Sequence, residues 1–209
     1  MSLKERGLLI VFEGIDGTGK STQISLLEAF LRKHGYQVIA TREPTTGYFG
    51  KRIRELYRDR RNVSLEEELE LFISDRREHV ETLIAPSLKN GRIILCDRYF
   101  LSTAAYQGAA GLDPEMIIER NRFAPDPDLA FILEIDAEES VKRITLSRGD
   151  QLNDFEQLES LKNVDKIFKR LHFPYIRRID GSQSIEQVSA CIRDHTIRLL
   201  NERYSTQLQ

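Results

Sequence analysis

The segment Gly14-Ile15-Asp16-Gly17-Thr18-Gly19-Lys20-Ser21 constrains the fold more than any other part of the chain. It satisfies G-x-x-x-x-G-K-[ST] and lies between an apolar run, Leu8 to Phe12, and a stretch where Ile24, Leu27 and Leu31 recur at helical spacing. Strand, glycine-rich turn and helix together are the context in which such a loop cradles phosphate. The glycines let consecutive backbone N–H groups turn inward, and the helix adds its positive N-terminal end. Lys20 is then placed to reach the terminal phosphates of a nucleotide, while Ser21 offers a hydroxyl to Mg2+. The residues expected to bind the nucleotide phosphates are Gly14, Ile15, Asp16, Gly17, Thr18, Gly19, Lys20, Ser21 and Thr22, a cradle that serves ATPases, GTPases and kinases alike. The spacing is not G-x-G-x-x-G, which argues against a nicotinamide dinucleotide.

Short apolar runs alternate with longer stretches of helical periodicity, the pattern of a parallel sheet covered on both faces. The candidate strands are Leu8 to Phe12, Gln37 to Ala40, Arg92 to Cys96, Leu129 to Ile135 and Tyr175 to Ile179. Five strands with helical crossovers give a three-layer α/β domain. Gly35 is a left-handed terminator for the first helix. Ser64 with Glu67 reads as a capping box opening a long helix with Leu69, Phe72, Ile73, Val80, Leu83 and Ile84 on one side, which Pro86 should kink or break. Asp113-Pro114, Asp136 with Glu139, and Ser184 with Gln187 mark three further helix starts. The last helix should end before the polar tail from Ser205.

The 209 residues suit a single domain, with 40% hydrophobic residues for a core and 31% charged residues for solubility. The 33 acidic and 31 basic residues nearly cancel, which disfavours a protein that coats nucleic acid or anionic membrane. Cys96 and Cys191, far apart and each in an apolar sequence setting, do not make a disulfide framework or a cysteine metal site. No early apolar run is long enough for a membrane span, so the expectation is a reduced, cytoplasmic protein.

Ile93-Ile94-Leu95-Cys96-Asp97 is an apolar strand ending in a carboxylate, placed to approach a metal or its waters; the alternative is a helix cap. No Asn-Lys-x-Asp tetrapeptide occurs, so a GTPase would lack its guanine reader.

Three further clusters stand where a second substrate would bind: Thr41-Arg42-Glu43-Pro44, then Leu71-Phe72-Ile73-Ser74-Asp75-Arg76, then the run Asp97-Arg98-Tyr99-Phe100-Leu101-Ser102-Thr103-Ala104-Ala105-Tyr106-Gln107. With the P-loop, these make nearly the whole chain resemble the thymidylate kinase family. The resemblance implies a single three-layer P-loop kinase fold over residues 1–209, with a five-stranded parallel sheet and a short lid at about 143–156. It implies ATP and dTMP as substrates, Mg2+ held near Ser21 and Asp97, and a homodimer.

In the family, the aromatic matching Phe72 stacks on thymine and the arginine matching Arg76 hydrogen-bonds the base. A four-residue spacing puts both on one helix face, although Phe72 also fits the Leu69–Ile73 core stripe. Arg42 and Arg98 resemble arginines around the acceptor phosphate, a task suited to planar guanidinium groups. Tyr106 matches the aromatic beneath the deoxyribose and Asp16 the acid that holds the 3'-hydroxyl; Ser102, Thr103 and Gln107 complete the dTMP pocket. Lys20, Arg98, Arg148 and Asp16 are the expected catalytic set. The lid departs from the family pattern: where relatives carry an arginine in D-R-[FI]-E, this chain reads Leu152-Asn153-Asp154-Phe155-Glu156, leaving Arg148 as the leading lid arginine and Arg143 as a weaker one.

Other features fit blander roles. Seven basic against three acidic residues between Arg42 and Arg61 read as a solvated helix face rather than a nucleic-acid patch. His34, His79, His172 and His195 lack ligand spacing and read as surface or capping residues. Asp180-Gly181-Ser182 stands where relatives contact adenine. Two alternatives remain: a deoxynucleoside kinase using Glu43 as the base, and a regulatory nucleotide-binding protein of the same fold with little activity.

Overall fold

The computed structural model describes residues 6–56, 63–148 and 157–205. The described strands are β1 (Leu9–Glu13), β2 (Val38–Arg42), β3 (Ile93–Asp97), β4 (Leu129–Glu134) and β5 (Ile176–Asp180), all paired in parallel in the order β2-β3-β1-β4-β5. Three of the five expected strands extend one residue further and β2 two, so Glu13, Arg42, Asp97 and Asp180 close strands rather than follow them. β4 stops one residue short of Ile135. Chain order reverses at β1, and the crevice at the carboxyl ends there is where ligands of such sheets bind.

The helices are α1 (Lys20–Lys33), α2 (Tyr48–Leu56), α3 (Leu65–His79), α4 (Ala85–Lys89), α5 (Phe100–Ala109), α6 (Pro114–Arg120), α7 (Ala137–Arg148), α8 (Leu158–Arg170) and α9 (Ile185–Ser205). At Ser64 the expected capping box forms: the hydroxyl accepts from Glu67 N–H at 3.2 Å and the Glu67 carboxylate accepts from Ser64 N–H at 2.8 Å. Ser184 and Gln187 repeat the exchange at the start of α9. Asp113 caps α6 through Glu115 N–H.

Pro86 does not break the long helix. A π-helical turn, Val80–Ile84, links α3 to α4, and the Ala85 N–H reaches back five residues to the Val80 carbonyl. A widened turn accommodates both the missing proline N–H and the ring that would strike the carbonyl four residues earlier. α9 likewise runs through Ser205 instead of ending before it.

Alternation along the strands sorts the core into two layers, because successive side chains point to opposite faces. Leu9, Val11, Ile94, Cys96, Ala130 and Ile132 face α4, α5, α7 and α8. Leu8, Ile10, Phe12, Ile93, Leu95, Phe131 and Leu133 face α1 and α9, meeting Ile24, Leu27, Leu31, Val188 and Ile192. Each such buried Leu, Ile or Phe contributes about 1.5–3 kcal/mol, and both faces are needed to bury a parallel sheet. Cys191, expected in an apolar setting, is instead exposed on α9. Among the described residues, no helix is long and apolar enough to cross a membrane.

Candidate active site

The P-loop leaves β1 at the reversal point and enters α1 at Lys20. Gly14 has φ 124°, and a Cβ there would lie 2.4 Å from the Leu133 carbonyl oxygen, so only glycine fits. Lys20 is buried, and its ammonium donates to the Gly14 and Ile15 carbonyls at 3.1 and 2.7 Å, folding back across its own loop. Burial and then the Arg98 charge push the Lys20 amine down to about 8. Thr18 is buried and donates to the Ile15 carbonyl, bracing the turn. Thr22 lies exposed on the first turn of α1.

The alternation that sorts the core also aims the polar strand ends. Asp97 continues the Ile93–Leu95 series toward α1 and there accepts from the Ser21 hydroxyl at 2.8 Å. Arg42, in register with Asp97 on the neighbouring strand, approaches the same carboxylate at 3.5 Å. A cleft of about 580 Å³ opens beside Ser21, Arg42, Thr45 and Asp97. A hydroxyl and a carboxylate side by side at the end of the cradle form the oxygen donor set that suits Mg2+.

On the opposite face, Arg98 organises a second cluster. Its backbone adopts φ 71°, a strained value outside glycine, held by the Arg98 N–H donating to the Phe12 carbonyl and by the Cys96 thiol donating to the Arg98 carbonyl. From there the guanidinium donates to the Gly14 carbonyl at 3.1 Å, Ser102 Oγ at 3.0 Å, Asp16 Oδ1 at 2.9 Å and the Tyr106 hydroxyl at 3.1 Å. Tyr106 donates in turn to Asp16 Oδ2. Burial raises the Asp16 carboxyl, but the Arg98 and Lys20 charges outweigh it and hold the group well below the usual carboxylate range. Thus Asp16, Lys20, Arg98, Ser102 and Tyr106, named from sequence, gather around one loop.

Arg76 is buried against Glu43, with Nε and Nη2 donating to one carboxylate oxygen at 2.9 and 2.6 Å, and it also donates to Asn121 and Thr103. His79, read from sequence as a surface or capping residue, is buried between Thr41 and Glu43 at 2.8 and 3.0 Å. Thr41 and Glu43 share strand parity and so face α3, while Arg42 between them faces α1. Phe72 is half-buried and belongs to none of the described core clusters. Gln107 is fully buried on α5, and neither polar atom of its side chain has a hydrogen-bond partner among the described residues.

Several of these residues were not singled out from the sequence. Glu13 is fully buried and accepts from Tyr99 N–H at 3.0 Å and from the Ser102 hydroxyl; burial pushes its carboxyl up to about 7 against the pull of Ser102, Arg98 and Arg76. Its signal was strand parity, since it continues Leu9 and Val11 toward α5. Ser140, on α7, donates to the Asp16 carbonyl at 2.5 Å and carries no local sequence signal. Asp75 accepts from both the backbone and hydroxyl of Thr45, fixing the loop that follows β2.

Of the lid, α7 ends at Arg148, whose side chain lies outside the described residues, as do residues 149–156. Residues 57–62 of the basic stretch also lie outside them. Arg143 pairs with Glu139 and donates to the Gly181 carbonyl at 3.1 Å, which directs it to the Asp180–Ser182 loop.

A glycine-rich strand-to-helix loop at the sheet's reversal point, facing a half-buried arginine held in a strained backbone, has the architecture of a P-loop phosphotransferase. The sequence model described as thymidylate kinase matches residues 12–192. A thymidylate kinase from Desulfotalea psychrophila is 58% identical over 182 residues, covering 87% of this chain and 90% of that protein. One from Akkermansia muciniphila is 44% identical, covering 91% of each chain. A probable thymidylate kinase from Pyrococcus horikoshii is 43% identical, covering 90% of this chain and 94% of that protein. The chain belongs to the thymidylate kinase family, an enzyme family of nucleoside-monophosphate kinases.

Proposed function

We infer that the protein transfers the γ-phosphoryl group of ATP to dTMP, forming dTDP and ADP. The observation that carries this reading is the Asp16–Arg98–Tyr106 cluster set directly against the P-loop, because it supplies a cation and sugar-facing groups within reach of the donor phosphates.

An acceptor phosphate is already an anion near neutral pH, with a second pKa of about 6, so its oxygen needs no general base. It attacks the γ-phosphorus, the bond to the bridging oxygen breaks, and ADP leaves with the electron pair. Catalysis then rests on aligning two anions and neutralising the charge between them. Lys20 leaves its carbonyl partners for the β- and γ-phosphates, Arg98 holds the acceptor phosphate from one side, and Arg42 approaches it from the other. Asp16 takes the 3'-hydroxyl, and the Tyr106 ring lies beneath the deoxyribose. Phe72 stacks on thymine, while Arg76, Thr103 and Gln107 meet its polar edge; the unpartnered Gln107 amide supports that assignment. Ser21 and Asp97 would hold Mg2+, which when bound screens the polyphosphate charge.

The arginines of the lid, Arg148 first, are proposed to cover the transferring phosphoryl group. Arg148→Ala should lower kcat more than it raises the KM for dTMP. The deoxynucleoside kinase alternative loses support because the Glu43 carboxylate is buried and occupied by Arg76 and His79. An ADP-release assay with dTMP, dUMP, dCMP, dGMP and thymidine tests the reading. Turnover should be fastest on dTMP, and none above background on dTMP would overturn it. We also propose a cytoplasmic homodimer, which sedimentation velocity and cell fractionation can check.

A further inference from the structure

The Arg98 guanidinium has to point at an anion, and besides the Asp16 carboxylate it leans on neutral oxygens of Gly14, Ser102 and Tyr106, of which a hydroxyl needs its own direction set by something else. Ser102 is one of them. Its hydroxyl donates to Glu13 Oε2, which turns the remaining lone pairs of Ser102 Oγ toward Arg98, and Arg98 Nη1 donates into them at 3.0 Å. The other Glu13 oxygen accepts from the N–H of Tyr99, the residue that opens α5, so one buried carboxylate ties the end of β1 to the turn carrying Arg98. The arrangement is directional: carboxylate accepts from hydroxyl, hydroxyl accepts from guanidinium. Its parts are enclosed, with Glu13 at 0% and Ser102 at 7% exposure, so water has little access with which to substitute for a lost partner.

We propose that Glu13 is a positioning residue for phosphoryl transfer, fixing through the Ser102 hydroxyl the direction in which Arg98 presents its charge to the acceptor phosphate. The role rests on the acceptor assignment of Arg98 made above. Glu13 touches neither substrate. An amide in its place would present Ser102 with an N–H donor where the fold has an acceptor, reversing the relay without changing its volume.

The test uses the full chain carrying Glu13→Gln, with Ser102→Ala, the double variant and Arg98→Lys. For Glu13→Gln, kcat/KM for dTMP should fall about tenfold while the KM for ATP stays within about twofold, since a misdirected charge-assisted hydrogen bond acts on one substrate only. Ser102→Ala should cause a similar loss, and adding Glu13→Gln to it should cost less than about a further twofold, because both remove the same relay. Should either single variant fold poorly, the other carries the same kinetic expectation. Unchanged dTMP kinetics in folded Glu13→Gln, equal losses for both substrates, or losses that multiply in the double variant would overturn the relay. Arg98→Lys separates this from the underlying reading: a large dTMP loss there with none in Glu13→Gln overturns the relay alone, whereas unchanged kinetics in Arg98→Lys overturns the acceptor role as well.

Discussion

Arg76 and Glu43 meet inside the protein with 2.6 Å between guanidinium nitrogen and carboxylate oxygen and side-chain exposures of 1% and 4%. The pair joins α3 to the end of β2, and His79, Asn121 and Thr103 each add one further hydrogen bond to it. Removing one partner strands a buried charge. Glu43→Ala should therefore destabilise the fold by about 3–5 kcal/mol, read as a lower urea midpoint, and a loss under 1 kcal/mol would contradict the account.

Lys20 folds onto the Gly14 and Ile15 carbonyls, with burial chiefly lowering its pKa to about 8. Lys20→Met should leave the fold intact and lower kcat by about 10²–10³, in line with the loss of one preorganised charge at the transferring group. Steady-state kinetics at saturating ATP and dTMP make the measurement.

The Tyr106 hydroxyl bridges Arg98 and Asp16, while its ring is the part proposed to lie under the sugar. Tyr106→Phe should raise the KM for dTMP about fivefold through the lost hydrogen bonds. It should leave the preference for dTMP over the ribonucleotide UMP unchanged. Tyr106→Ala, which removes the ring, should reduce that preference, and competition between the two nucleotides reads the ratio directly.

Glu13 has a carboxyl raised from 4.5 to about 7, chiefly by burial. Between those values the folded chain keeps a proton that the unfolded chain gives up. Stability is thus favoured below about pH 4.5 and declines as pH rises through about 7, by on the order of 1–3 kcal/mol from this group. Urea titrations across that range should show a shallower decline for Glu13→Gln than for the parent.

Much of the fold was legible because it depends on local signals. Apolar runs marked all five strands, and Ser64 and Ser184 announced their helices through residues three positions on. Pro86 signalled a perturbation of the long helix but not its form, because whether the preceding turn can widen is not revealed by a proline in a sequence. At the site, Asp16, Lys20, Ser21 and Arg98 stood inside contiguous motifs. Glu43, His79 and Asn121 come together from three separate elements, and nothing local relates them. Glu13 occupies a middle case: it stands just past the apolar run Leu8 to Phe12, and its odd-numbered parity with Leu9 and Val11 assigns it to the α5 face.

Asp97 and Glu13 close neighbouring strands, yet one turns toward Ser21 and α1 and the other toward Ser102 and α5. The sheet therefore works as a partition with one acid on each side. The carboxylate proposed for the metal and the one proposed for the acceptor arginine do not share solvent or a hydrogen-bond partner among the described residues. Substitutions around Ser102 and Tyr106 should retune the proposed acceptor pocket while Ser21 and Asp97 keep their contact, which makes that pocket the natural place to test a change in which monophosphate is accepted.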